Sequence, residues 1–310
     1  MYRPFQQQAL VNISTLNSWW MVFSKAWAAN LRGPWQLRGI VVCGLIFALS
    51  SGPTRASNGT ERGTASSTVQ KLDYAQEQKP TRVLFIGNSY FYYNDSLHNH
   101  VRRIVDELEP VDPDALTYKS ATIGGAQLSH HPISWHLAAN NIGVKEPFDA
   151  VILQGGSAEV LTPKREKAFQ RTVDPFSELI RQAGGEPYLY MTHAYVAPHP
   201  RVAPGQIRQI EAAYVSAGNR NKAQVIPVGK AFDRAHQALP GVILHKPFDG
   251  SHPSLNGTYL AALVVYLTLY GGSLENLKYD YFGKVEAETA RELRRIAEEV
   301  VAEFRRPAPN

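Results

Sequence analysis

The sequence predicts an α/β fold, a three-layer α/β/α sandwich around a mostly parallel five-stranded sheet. Three observations predict it. Short apolar runs rich in β-branched and aromatic residues recur along the chain. Stretches with apolar residues at three-to-four spacing separate them, and from residue 80 to residue 306 no second linker and no internal repeat interrupts the alternation. Strands that alternate with helices pair in parallel, because each helix carries the chain back across a face of the sheet.

The elements follow in order. Val83-Leu-Phe-Ile86 reads as a first buried strand and 115–120 as a weaker second; 150–153, 187–191 and 224–228 complete the set. Residues 96–108, 163–183 and 207–217 carry helical spacing. Near the end, Pro253 is placed in a first helical turn, where its missing N–H costs nothing. Leu255, Tyr259, Leu260, Leu263, Val264 and Leu267 then form a wide apolar stripe that stops at Gly271 and Gly272. A charged helix over 285–304 closes the domain. In such sheets functional groups gather beyond the carboxyl ends of the strands.

The 310 residues are 44% apolar and 19% charged, ordinary globular composition with length enough for a substantial core. Residues 1–56 hold Arg3, Lys25, Arg32, Arg38 and Arg55 and no acidic residue, which accounts for the whole formal net charge of +5. The remainder is neutral, and nucleic acid is excluded as a partner, since counterion release needs a concentrated basic face. The apolar run 40–50, about 11 residues, is far short of the roughly 20 that span a bilayer. With Arg32 and Arg38 before it and Ala56 after it, residues 1–56 read as an export signal, with translation starting at Met1 or Met21. An uncleaved anchor, the one route to a membrane, and a disordered basic extension are the alternatives. Cys43, the only cysteine, lies in that run, so no disulfide or thiolate chemistry is available downstream. Residues 57–79, rich in Ser, Thr, Gly and Gln, read as a flexible linker.

Four segments carry chemistry. Ile86-Gly-Asn-Ser89 turns directly out of the first strand and presents a hydroxyl at the sheet edge, with the Ser89 N–H placed for a carbonyl oxygen; equally, it reads as a loop that Asn88 or Ser89 merely caps. Asp249-Gly-Ser-His252 lets a carboxylate reach one imidazole nitrogen while the other faces outward, as a general base requires; a surface Asp and a helix-capping His are the plain alternative. The turn Ile123-Gly-Gly-Ala126 offers the N–H of Gly125 or Gly124 to an oxyanion, and Gln154, in Leu153-Gln-Gly-Gly-Ser157, offers its amide.

In this order and at these strand ends, the four segments resemble the blocks of the SGNH hydrolase (GDSL esterase/lipase) superfamily, over nearly all of residues 81–304. The resemblance implies Ser89 as nucleophile, His252 as general base, Asp249 as its orienter, and an oxyanion hole from Ser89, Gly125 and Gln154. The third block departs from the family: Gln154 stands where an Asn is usual. A poorly characterised bacterial branch with a Gly-Asn-Ser first block and a Leu-Gln third block is the part of the superfamily this chain resembles. The expectation is an exported serine esterase without metal or organic cofactor, acting on acetyl or short acyl esters of a carbohydrate or other small alcohol. An acyltransferase on the same triad, or a catalytically silent carbohydrate-binding protein, are the rivals.

Tyr90, in Tyr90-Phe-Tyr-Tyr93, is read either as a wall for substrate or as packing of the first helix. His193, after the fourth strand, reads either as a structural or solvent-facing histidine or as one that lines the cleft against substrate. No tight His and carboxylate spacing of a zinc site is present, so His130, His131, His199 and His245 are assigned no metal.

Overall fold

A computed structural model describes residues 79–305. The expected export signal over 1–56, Cys43 and the expected linker up to residue 78 lie outside the described residues. Lys79, assigned to the linker, is described, and its ammonium pairs with Glu109 at 2.5 Å.

Five strands, β1 (Arg82–Gly87), β2 (Thr117–Thr122), β3 (Ala150–Leu153), β4 (Glu186–Tyr190) and β5 (Gln224–Ile226), form one all-parallel sheet in the order β2-β1-β3-β4-β5. Alternation along each strand divides the core in two. Val83, Phe85, Ile152, Tyr188, Tyr190 and Ile226 face one side; Leu84, Ile86, Val151, Leu153, Leu189 and Val225 face the other.

The first side is covered by α2 (Leu97–Leu108), α6 (Val228–Ala238), α7 (Leu255–Tyr270) and α8 (Ala287–Arg305), and the second by α4 (Pro163–Gln182) and α5 (Gln206–Asn221). Two short helices, α1 (Ser89–Tyr92) and α3 (Ile133–Leu137), sit in the loops after β1 and β2. The chain enters at the interior strand β1, steps outward to β2, then crosses to β3. The crevice beyond the carboxyl ends of β1 and β3 is therefore the switch point of the sheet, and both Ser89 and Gln154 leave the sheet there.

Three expectations change at the end of the domain. Pro253 is not in the first turn of α7. It precedes the N-cap Ser254, whose hydroxyl accepts the Gly257 N–H, and it pairs with His245 in an isolated bridge. The stripe of α7 widens to the whole circumference, with every residue from Gly257 to Tyr270 buried between α2, α6 and α8. Gly257 is required for that fit, since a Cβ there would collide with the Leu244 carbonyl. Finally, the run read as strand to residue 228 ends at Ile226. Pro227 is the N-cap of α6 instead, whose buried Val228, Ala231, Phe232 and Ala235 show helical spacing. Among the described residues no helix is long and apolar enough to cross a membrane.

Candidate active site

Ser89 is the first residue of α1, and the turn before it is built by its neighbours. Asn88 is the N-cap, its Oδ1 accepting the Tyr90 N–H at 3.1 Å while its carbonyl takes the Phe91 N–H at 2.9 Å. Neither bond uses the Ser89 N–H. The capping reading and the nucleophile reading of this turn are thus compatible: one residue caps and the next presents its hydroxyl.

The loop after β2 is tied to this turn at both ends. Gly87 carbonyl accepts the Ile123 N–H at 3.1 Å, and Asn88 Nδ2 donates to the Ala126 carbonyl at 3.1 Å. Gly124 and Gly125 lie exposed between these ties. Gly125 has φ +69° with nothing within 4 Å of where a Cβ would stand, so glycine suits its backbone and its surroundings are open.

The loop from Lys246 to Pro253 brings the other two side chains to Ser89. Its backbone is locked by Lys246 N–H to the His252 carbonyl at 2.7 Å and Val196 N–H to the Gly250 carbonyl at 2.9 Å. Gly250, at φ +62°, approaches Val196 so closely that a Cβ would strike the Val196 carbonyl. Within this loop Asp249 Oδ1 accepts the N–H groups of Ser251, at 2.8 Å, and His252, at 3.0 Å. Its Oδ2 stands 2.5 Å from His252 Nδ1, and His252 Nε2 stands 2.8 Å from Ser89 Oγ. The ionised carboxylate accepts from Nδ1–H, which leaves Nε2 to accept from the serine hydroxyl. Burial alone would raise the Asp249 carboxyl; the hydrogen bond from His252 and the two backbone N–H groups outweigh it and hold the group below its ordinary value. The carboxylate therefore stays charged where it meets the His252 imidazole.

Gln154 departs from its expected role as an oxyanion donor. It is only 1% exposed, and its Oε1 accepts the Asn88 N–H at 3.0 Å while Nε2 donates to the Gly155 carbonyl. Turning the amide over would set donor against donor and oxygen against oxygen, so the orientation is fixed. The side chain braces the turn that carries Ser89. Glu159, which the sequence did not single out, ties the loops after β2 and β3 together: its Oε2 accepts the Gly156 N–H at 2.5 Å and the Leu128 N–H at 3.0 Å.

Tyr90 and His193 are likewise not at the substrate surface. Tyr90 is 2% exposed, and its hydroxyl lies 2.9 Å from Ser251 Oγ. His193 is 1% exposed and sandwiched between the rings of Tyr90 and Phe232, each 4.3 Å away, with Nε2 2.8 Å from the Ser251 carbonyl. Both support the loop that carries His252. Burial, with His245 as the largest neighbour, pushes the His193 imidazole well below its usual value, so it is neutral there. Exposed side chains near the site instead include Tyr92, at 43%, whose hydroxyl lies within 3.4 Å of a Cβ placed on Gly124, and Phe248, at 71%, beside Asp249. Among the described residues no group of three or more His, Cys, Asp or Glu side chains is arranged to hold a metal ion.

No family model and no curated protein matches the chain. Solved structures do. A DUF4886 family protein from Bacteroides uniformis is similar at a TM-score of 0.55 and 18% identity, over 73% of this chain and 96% of that one. A candidate SGNH hydrolase from Slackia heliotrinireducens gives a TM-score of 0.48 at 23% identity, over 61% and 98%, and the acetyl xylan esterase AlAXEase gives 0.48 at 17%, over 59% and 97%. At these identities the likeness is one of fold. Five parallel strands with helices on both faces give this chain the three-layer α/β/α architecture expected from its sequence.

Proposed function

We propose that this protein is an exported serine ester hydrolase that works through an acyl-enzyme on Ser89. One observation carries the reading: the relay in which Ser89 Oγ, His252 Nε2, His252 Nδ1 and Asp249 Oδ2 follow each other at 2.8 Å and 2.5 Å. A hydroxyl is a poor nucleophile at neutral pH, and an imidazole within hydrogen-bond reach removes its proton as the oxygen attacks the ester carbonyl. The charge that develops on the carbonyl oxygen meets the N–H groups of Ser89 and Gly125, with Gln154 left out of the hole. His252 then gives the proton to the departing alcohol. In the second half it takes a proton from water, which attacks the acyl carbon and frees the acid and the serine. Asp249 holds the imidazole in the tautomer that both halves need.

The substrate class proposed is a short acyl ester, acetyl foremost, on a carbohydrate or other small alcohol. The exposed Tyr92 and Phe248 at the rim offer apolar faces to a sugar ring, and the charge and apolar pattern of residues 1–56 supports export. Release of p-nitrophenol from its acetate by the protein and by Ser89→Ala tests the reading. Ser89→Ala is expected to lose about 10³-fold or more in kcat/KM; equal rates would remove the catalytic claim. Adding a sugar acceptor separates the transferase alternative, in which acylated sugar would form faster than free acid.

A further inference from the structure

We infer that Tyr93 is a positioning residue for the general base, its ring clamping the His252 imidazole while a left-handed run of backbone behind it keeps the clamp closed. The inference rests on the esterase reading above.

An imidazole held only by hydrogen bonds at Nδ1 and Nε2 is fixed along one line and free to rock about it. A contact on the ring face removes that freedom. Tyr93 supplies one, with ring centroids 4.4 Å apart and planes 21° from parallel, and Tyr90 meets the same imidazole edge-on at 6.0 Å and 81°. Tyr92 stacks with Tyr93 at 5.6 Å, and the Lys246 ammonium lies 5.7 Å from the Tyr93 ring centre.

The backbone behind Tyr93 is costly to make and is fastened in place. Asn94, Asp95 and Ser96 have φ of +54°, +71° and +59°, three consecutive left-handed residues without a glycine. Such conformations persist only where the surroundings impose them. Asn94 Nδ2 donates to the carbonyl of Pro253, the residue after His252, at 3.0 Å and to Thr258 Oγ1 at 2.8 Å. The Asn94 carbonyl accepts from His100 Nε2 at 2.7 Å, while His100 Nδ1 takes the Tyr279 hydroxyl at 2.9 Å, and Asp95 pairs with Arg103 at 2.8 Å. One end of the strained run is thus tied to the loop that bears the base, and the other to α2. The run joins the nucleophile helix to the histidine loop through side chains that touch no reacting atom.

The test compares Tyr93→Ala, Tyr93→Phe and Asn94→Gly with the unaltered protein in hydrolysis of p-nitrophenyl acetate, alongside thermal unfolding and the proton NMR signal of the His252 Nδ1–H. Tyr93→Ala is expected to lower kcat by about 10²-fold, the scale of misplacing a catalytic group by an ångström, with KM within about twofold and the Nδ1–H signal broadened or lost. Tyr93→Phe keeps the ring and restores both. Asn94→Gly keeps the left-handed backbone but not the amide, and is expected to lower kcat on the order of 10-fold; it carries the test if Tyr93→Ala does not fold. An unchanged kcat and an unchanged signal in Tyr93→Ala or Asn94→Gly would overturn the clamp, as would a phenylalanine variant as slow as the alanine one. An unaltered protein no faster than Ser89→Ala sinks the esterase reading instead, so the two failures are distinct.

Discussion

The side-chain oxygen of Gln154 accepts the backbone N–H of Asn88 at 3.0 Å, one residue before the serine. A buried amide at the end of β3 thereby sets the height of the turn at the end of β1. Gln154→Leu, similar in size but without an acceptor, leaves the Asn88 N–H buried and unpaired, which costs about 1–3 kcal/mol. A fall of several degrees in Tm together with lower kcat is the expected outcome. A lower kcat with Tm unchanged would return Gln154 to the oxyanion hole.

Gly87 is pressed against the same brace. A Cβ there would stand 2.5 Å from Gln154 Oε1 and 2.8 Å from Phe91 Cδ2. Gly87→Ala must push one of them aside, and overpacking of this kind costs about 1–3 kcal/mol. Urea unfolding should show a lower midpoint with the same m-value, and esterase activity should fall with it.

Asp249→Asn separates orientation from structure. The new amide oxygen retains the N–H groups of Ser251 and His252, but its NH₂ now faces His252 Nδ1, which must become the acceptor. Nε2 then carries the proton and points it at Ser89 Oγ. We expect kcat to drop by about 10⁴-fold with little change in Tm, read from initial rates and a thermal melt.

Acid should unfold this protein through its buried histidines. His245, against His236, His193 and the Ala194 carbonyl, is pushed to about 4, by burial first and His236 second; His131 is pushed to about 4 by burial and His136. Asp249 acts on His245 in the opposite sense. A histidine depressed in the folded state binds its proton more readily when unfolded, near its ordinary value of about 6.5. The stability from keeping it neutral is therefore whole above that pH and lost as pH falls towards 4. Tm measured across this window should drop, and His245→Gln should drop less steeply although it starts lower at pH 7.

Much of this was open to a reader of the chain. Val83 to Ile86 is an apolar run closed by a glycine, a local pattern that fixes a strand and the turn after it. Asp249 and His252 are three positions apart, so their pairing is also local. The helix over Val228–Ala238 had its signal in the spacing of Val228, Ala231, Phe232 and Ala235, but Pro227 sits inside an apolar run that reads as continuous strand. Glu159 and Asn94 left no signal, since each acts through partners distant in the chain.

What the sequence by itself determined is the alternation of strand and helix, the parallel sheet this implies, and the residue types gathered at the strand ends, because hydrophobic period and turn chemistry are properties of neighbouring residues. Only the tertiary structure decided where side chains point. It turned the Gln154 amide down onto backbone, buried Tyr90 and His193 in a stack behind the histidine loop, and laid Tyr93 across His252. Direction depends on which buried donors and acceptors must be paired once distant segments meet, and that requirement exists only in the folded chain.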